Sequence, residues 1–200
     1  MSEMKSIESS KSNMRVTYMC VLIPLAVAIN VVVGQIAMNL KLPLYMDAIG
    51  TTILSAIMGP WVGALSGLLS SFITSLIAGN ILDTLFGLCN VSTALIVGFM
   101  VRYNKFSKWY HWVICLFFVS LFNALLGTPI GVIVYGGIQG SGLDIAVAAL
   151  LATGQDLMSA RFWASFPTNL IDKGIALVIT IMVMKRLPEK LKKMNAPKAK

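Results

Sequence analysis

Charge is what this sequence has least of. Only 12% of its 200 residues are Asp, Glu, Lys or Arg, about half the share of an ordinary soluble domain. Hydrophobic residues make up 57% and the mean hydropathy is +0.81, so a soluble globular domain is excluded. The chain reads as an integral membrane protein with room for about six spans. Histidine occurs once, as His111, and the eight acidic residues are scattered, which argues against a metal-dependent enzyme. No G-x-x-x-x-G-K-[ST], H-E-x-x-H or G-x-S-x-G stretch occurs, removing phosphate-binding loops, metal helices and hydrolase elbows. The carboxylate-rich motifs of membrane phosphotransferases are missing, and so are the filters and charge rings of channels. Cys20, Cys89 and Cys115 sit in apolar runs at unrelated spacings, fitting neither a disulfide framework nor a metal site. They read as small core hydrophobes. No internal repeat emerges, so an inverted-repeat transporter is not supported. No cofactor and no metal are expected.

Long apolar runs, by contrast, are abundant. They predict an all-α bundle of six transmembrane helices over about 17–40, 44–58, 61–78, 86–101, 109–135 and 162–184. The first run has no small-residue cleavage site behind it and should stay as a span. Residues 1–16 are expected as a cytoplasmic tail, 17–187 as the membrane domain and 188–200 as a basic cytoplasmic tail. Gly59-Pro60 breaks the second span, and Gly127-Thr128-Pro129 should kink the fifth. Long outer loops are expected, and the apolar stretch 143–153 within one of them is too short to cross a bilayer. It suits an interfacial or re-entrant helix.

The net charge of +8 does not point to nucleic acid, because its distribution is one-sided. Lys5, Lys11 and Arg15 precede the first span, Arg102, Lys105 and Lys108 fill one loop, and seven basic residues from Lys185 to Lys200 follow the last span. Thirteen of the sixteen basic residues thus share one side of a six-span chain. That is the positive-inside pattern, with both termini in the cytoplasm, and the basic tail also suits anionic lipid heads.

Asp172 and Lys173 are adjacent charges about eleven residues inside the last span, where each costs on the order of 3 kcal/mol in lipid. Either they line a watery cavity, or they form a salt bridge that ties helices together. Asn169 lies one turn from Lys173 and shares its helix face. Asp47, Asn90, Tyr135, Gln155, Asp156 and Trp163 fall toward the same outer half, and with those three they form the candidate ligand-binding set. Asp47 equally suits a helix N-cap. In the third span Gly63, Gly67, Ser71, Ser75 and Gly79 recur every four residues. Small side chains in that register let helices approach closely, within the chain or against a partner subunit. Ala26, Asn30 and Gly34 form a looser version in the first span. Ala26, Asn30, Gly34, Gly63, Gly67 and Ser71 are therefore the candidate docking residues.

Two local stretches carry a family resemblance: 42–51, LPLYMDAIGT, and 58–65, MGPWVGAL, with its G-P-x-x-G-A turn between spans two and three. Together with length, span count, orientation and long outer loops over 15–187, they make the chain similar to the substrate-binding S components of energy-coupling factor transporters. The segment 135–144, YGGIQGSGLD, resembles a less well-assigned subgroup. The A-x-x-x-A docking motif of span one is not strict here, the nearest match being Ala26, Asn30 and Gly34. The resemblance implies capture of a water-soluble vitamin or related micronutrient outside a bacterial cell. It also implies a membrane coupling subunit and two cytoplasmic ATPases as partners, and no enzymatic activity. A stand-alone secondary transporter or small channel for a polar solute is the alternative.

Overall fold

The computed structural model describes residues 2–103, 109–188, 191 and 193–195. Lys105, Lys108, Lys190, Lys192, Lys198 and Lys200, counted above in the one-sided charge pattern, lie outside the described residues. Seven α-helices follow in order: α1 Ser2–Asn39, α2 Ile49–Met58, α3 Pro60–Ala78, α4 Gly87–Arg102, α5 Trp109–Tyr135, α6 Leu143–Ala152 and α7 Leu157–Arg186. Short 3-10 turns occupy Ile81–Phe86 and Lys193–Asn195, and no strand occurs among the described residues. Among the described residues, five segments are long and apolar enough to cross a membrane: Arg15–Asn39, Pro60–Ala78, Ile81–Arg102, Trp109–Tyr135 and Leu157–Arg186.

Several elements differ from expectation, each for a physical reason. Residues 2–14, expected as a tail, continue α1; they hold neither Gly nor Pro, the two residues that interrupt helices most strongly. The second apolar run is helical only over Ile49–Met58, about 15 Å of rise. Ahead of it Pro43 disfavours helix for the residue before it, and Met46 turns the chain with φ 55°. The last helix starts earlier than expected, because the Asp156 carboxylate accepts from the Ser159 amide at 3.0 Å and caps it. The segment 143–153 does form a separate short helix, α6. In α5 the helix is continuous through Gly127-Thr128-Pro129.

α3 packs chiefly on α4, and α5 on α7, while α2 is wedged among α1, α3, α4 and α7. The four-residue stripe of α3 makes this possible. A side-chain carbon at Gly63 would run into Ser55, and one at Gly67 would sit 2.8 Å from Asn90 Cβ. Pro60 likewise presses on Gly98 of α4, and Ala26 on Gly50 of α2. Buried Asn30 links three helices. Its Nδ2 donates to Thr51 Oγ1 at 2.8 Å and Ser70 Oγ at 2.9 Å, while its Oδ1 accepts from the Gly50 amide at 2.6 Å. That last bond satisfies a free donor in the first turn of α2, the service expected of Asp47.

One end of the bundle holds an apolar core, with a pocket of about 140 Å³ beside it between Arg15, Gly59, Trp61, Arg102 and Asn195. Ala26, Leu54, Ile57, Met58 and Val62 form the core, joined by Met184, Leu187 and Met194. Buried Asn195 donates its amide to the carbonyls of Ser55, Ala56 and Gly98 at 3.1–3.3 Å. Arg15 donates to the Met58 carbonyl at 3.2 Å. The bonds to Ala56 and Met58 answer carbonyls that α2 leaves free at its C-terminus.

Candidate ligand-binding site

At the opposite end the helices do not close. They surround a cavity of about 170 Å³, space on the order of ten waters. Its walls come from α1, the 42–47 strap, α3, the 81–86 turn, α4, α5, the 136–141 loop and α7. Polar side chains are frequent among the lining residues, with aromatic surface from Tyr45, Phe86 and Tyr135. Polar groups buried at membrane depth are costly unless they are partnered, so their gathering around one void is informative.

The centre of the wall is an ion cluster. Lys173 Nζ lies 3.0 Å from Asp47 Oδ1 and 2.7 Å from Asp172 Oδ2, and 6.0 Å from the Tyr45 ring centroid. The contact to Asp172 is off the hydrogen-bonding direction, so it acts mainly through charge. Lys173 and Asp172 are 2% and 1% exposed at the side chain, whereas Asp47 is 38% exposed. The left-handed backbone at Met46 presents its amide to Asp172 Oδ1 at 2.7 Å and turns Asp47 toward Lys173. A non-glycine residue in that region carries strain, and such strain gathers at functional sites. Asp47 Oδ2 also accepts from Asn90 Nδ2 at 3.2 Å, and Asn90 donates to Ser71 Oγ at 3.1 Å. On the far wall the Tyr135 hydroxyl donates to Asp83 Oδ1, which also accepts from Asn80 at 3.2 Å.

The cavity brings together Asp47, Asn90, Tyr135, Asn169 and Lys173 of the sequence-derived binding set. Asp172 stands behind Lys173, in the helix-tying arrangement, and does not line the void. Gln155 and Asp156 are exposed; Asp156 is occupied as the α7 cap. Trp163 is 56% exposed on the outside of α7, because the helix turns its 165, 169, 173 face inward. Asp47 does not cap α2, whose N-cap position is Ala48 with no side-chain bond.

Ala26, Asn30, Gly63, Gly67 and Ser71 are buried within the chain, so the small-residue faces serve internal packing. Gly34 lines the cavity.

Sequence reasoning left out Tyr45, Ser70, Asp83, Asn123, Gln139 and Ser165, all of which line the void. Asn123, a lone amide in the apolar α5, carried a usable signal. It donates to Thr93 Oγ1 and to the Val119 carbonyl, both at 2.8 Å.

Chemically the arrangement is suited to holding a small polar molecule by charge, amide groups and ring faces. The described residues contain no group of three or more metal-binding side chains. A family model described as the substrate-specific component of ECF transporters matches residues 18–184. No curated protein and no solved structure matches the chain.

Proposed function

The chain belongs to the substrate-specific components of ECF transporters, and from that premise we propose that its cavity captures a small polar molecule for uptake. The molecule is of the water-soluble vitamin or related micronutrient kind. One observation supports this above the rest: a void flanked by a buried ammonium and two carboxylates, with polar groups converging from most of the helices. A chain that needed only a helix clasp would have no reason to leave open space beside it.

In this reading the protein is a multi-pass component of a bacterial cell membrane, with both termini cytoplasmic and the cavity facing outward. The 42–47 strap together with α2 makes the sixth crossing beside the five long helices. Asp47, Asn90, Tyr135, Asn169 and Lys173 contact or orient the ligand. Glycine-containing loops at the cavity end, with positive φ at Gly136, Gly137 and Gly140, suit a lid. Energy comes from a membrane coupling subunit and two cytoplasmic ATPases, since the sequence encodes no phosphate-binding loop. The docking surface falls on the outer face of α1. Its most hydrophobic stretch is 22% buried, against 33–44% in the other four long segments.

The test is transport in vesicles. The molecule that co-purifies with the chain should accumulate only when coupling subunit, ATPases and ATP are all present. Accumulation by the isolated chain in de-energised vesicles would contradict the reading.

A further inference from the structure

Four of the chain's eight acidic residues gather at the cavity. Asp47 and Asp83 line it. Asp172 backs Lys173. Asp144 closes the loop that carries two lining residues, accepting from the Gln139 and Ser141 amides at 3.0–3.1 Å. Among the described residues two buried cations oppose them. Lys173 is already enclosed by two carboxylates. Arg161 is buried in the wall, where it donates to the Gly137 carbonyl and lies against Gly131. That places it at the C-terminal end of α5, whose dipole answers part of its charge. Lys41, next to the lining residue Leu42, is exposed to solvent and screened there. In a chain of net charge +8, the cavity carries carboxylate charge in excess.

Two of these carboxylates keep accepting capacity. Asp47 is 38% exposed beside a 2% exposed Lys173, and an ionised carboxylate offers about four acceptor positions. Asp83 takes both Tyr135 and Asn80 on Oδ1, which leaves Oδ2 open toward a donor. The rings of Tyr45, Phe86 and Tyr135 line the same space, and aromatic faces attract cations. An anionic ligand meets the opposite situation. At Lys173 it must compete with Asp47 and Asp172, whose carboxylates already enclose the ammonium.

We propose that the cavity selects a positively charged ligand: an amine, guanidine or cationic ring nitrogen on a body of small heteroaromatic size. The inference rests on the uptake reading of the same site and adds the charge of what is carried.

The experiment uses the full chain in lipid nanodiscs and three probes that share one ring. At pH 7.5, 3-pyridylmethylamine is a cation, 3-pyridylmethanol is neutral and nicotinate is an anion. Their affinities are read from protection against thermal unfolding. The ammonium probe should bind at least about tenfold tighter than nicotinate, and Asp83→Asn should narrow that gap. Equal or tighter binding of nicotinate overturns charge selection and leaves a small-molecule site standing. If no probe protects, the molecule released from the denatured protein decides. A cationic one supports the proposal, and a neutral or anionic one overturns it. No probe bound and no molecule released would remove the uptake reading itself.

Discussion

The two ends of this bundle are built on opposite plans. At the end that gathers Arg15, Gly59 and Asn195, an apolar core packs between helices, and Asn195 and Arg15 donate to carbonyls at the end of α2. At the other end α2 begins only at Ile49, an extended strap takes its place, and charged and amide side chains face a void. The same helices run through both. The contrast lies in what borders the space: an ion cluster and amides line the larger void, whereas the smaller pocket of about 140 Å³ at the other end lies against an apolar core.

The comparison breaks most readily at Lys173. Lys173→Met leaves Asp47 and Asp172 without their cation, and should destabilise the fold by about 3–5 kcal/mol. Thermal unfolding in detergent would measure it, and adding Asp172→Asn should restore part of the loss. An unchanged midpoint would mean that Lys173 is a free ligand arm. At the apolar-core end, Gly98→Val drives a side chain into the Pro60 backbone and should cost about 1–3 kcal/mol without altering ligand retention. Asn195→Ala removes the donor to three carbonyls and should cost about 1–2 kcal/mol, again with ligand affinity intact. A fall in affinity for either variant would show that the two ends are coupled. Trp163→Leu, on the outer face of α7, should change stability by less than about 0.5 kcal/mol and leave binding unchanged.

Much of the fold was legible because lipid imposes a simple rule: an apolar run of sufficient length becomes a helix. The range 109–135 is found as α5 residue for residue. The stripe from Gly63 to Ser75 identified a close-packing face, but spacing alone does not say whether the neighbour is another helix of the chain or another protein. It is α2 and α4. The strap before α2 was not legible, because its shape depends on two long-range ties, Met46 to Asp172 and Asp47 to Lys173. Asn30 stood out in the apolar first span, yet its role follows from which helices lie beside it. Arg161, one residue ahead of the expected last span, is buried against Gly131 and Gly137. Asp83 falls between two expected spans, and its place in the wall comes from Tyr135, fifty-two residues away.

The most direct measurement fills the void and asks what leaves with it. Gly127 lines the cavity, and a side-chain carbon there meets only Cys89 Sγ, at 3.6 Å, so Gly127→Phe should fold while occupying the space. Mass spectrometry of small molecules released on denaturation is expected to find one in the wild-type protein and none in this variant, at matched melting temperatures. Equal release from both proteins would contradict the placement of the ligand in this cavity.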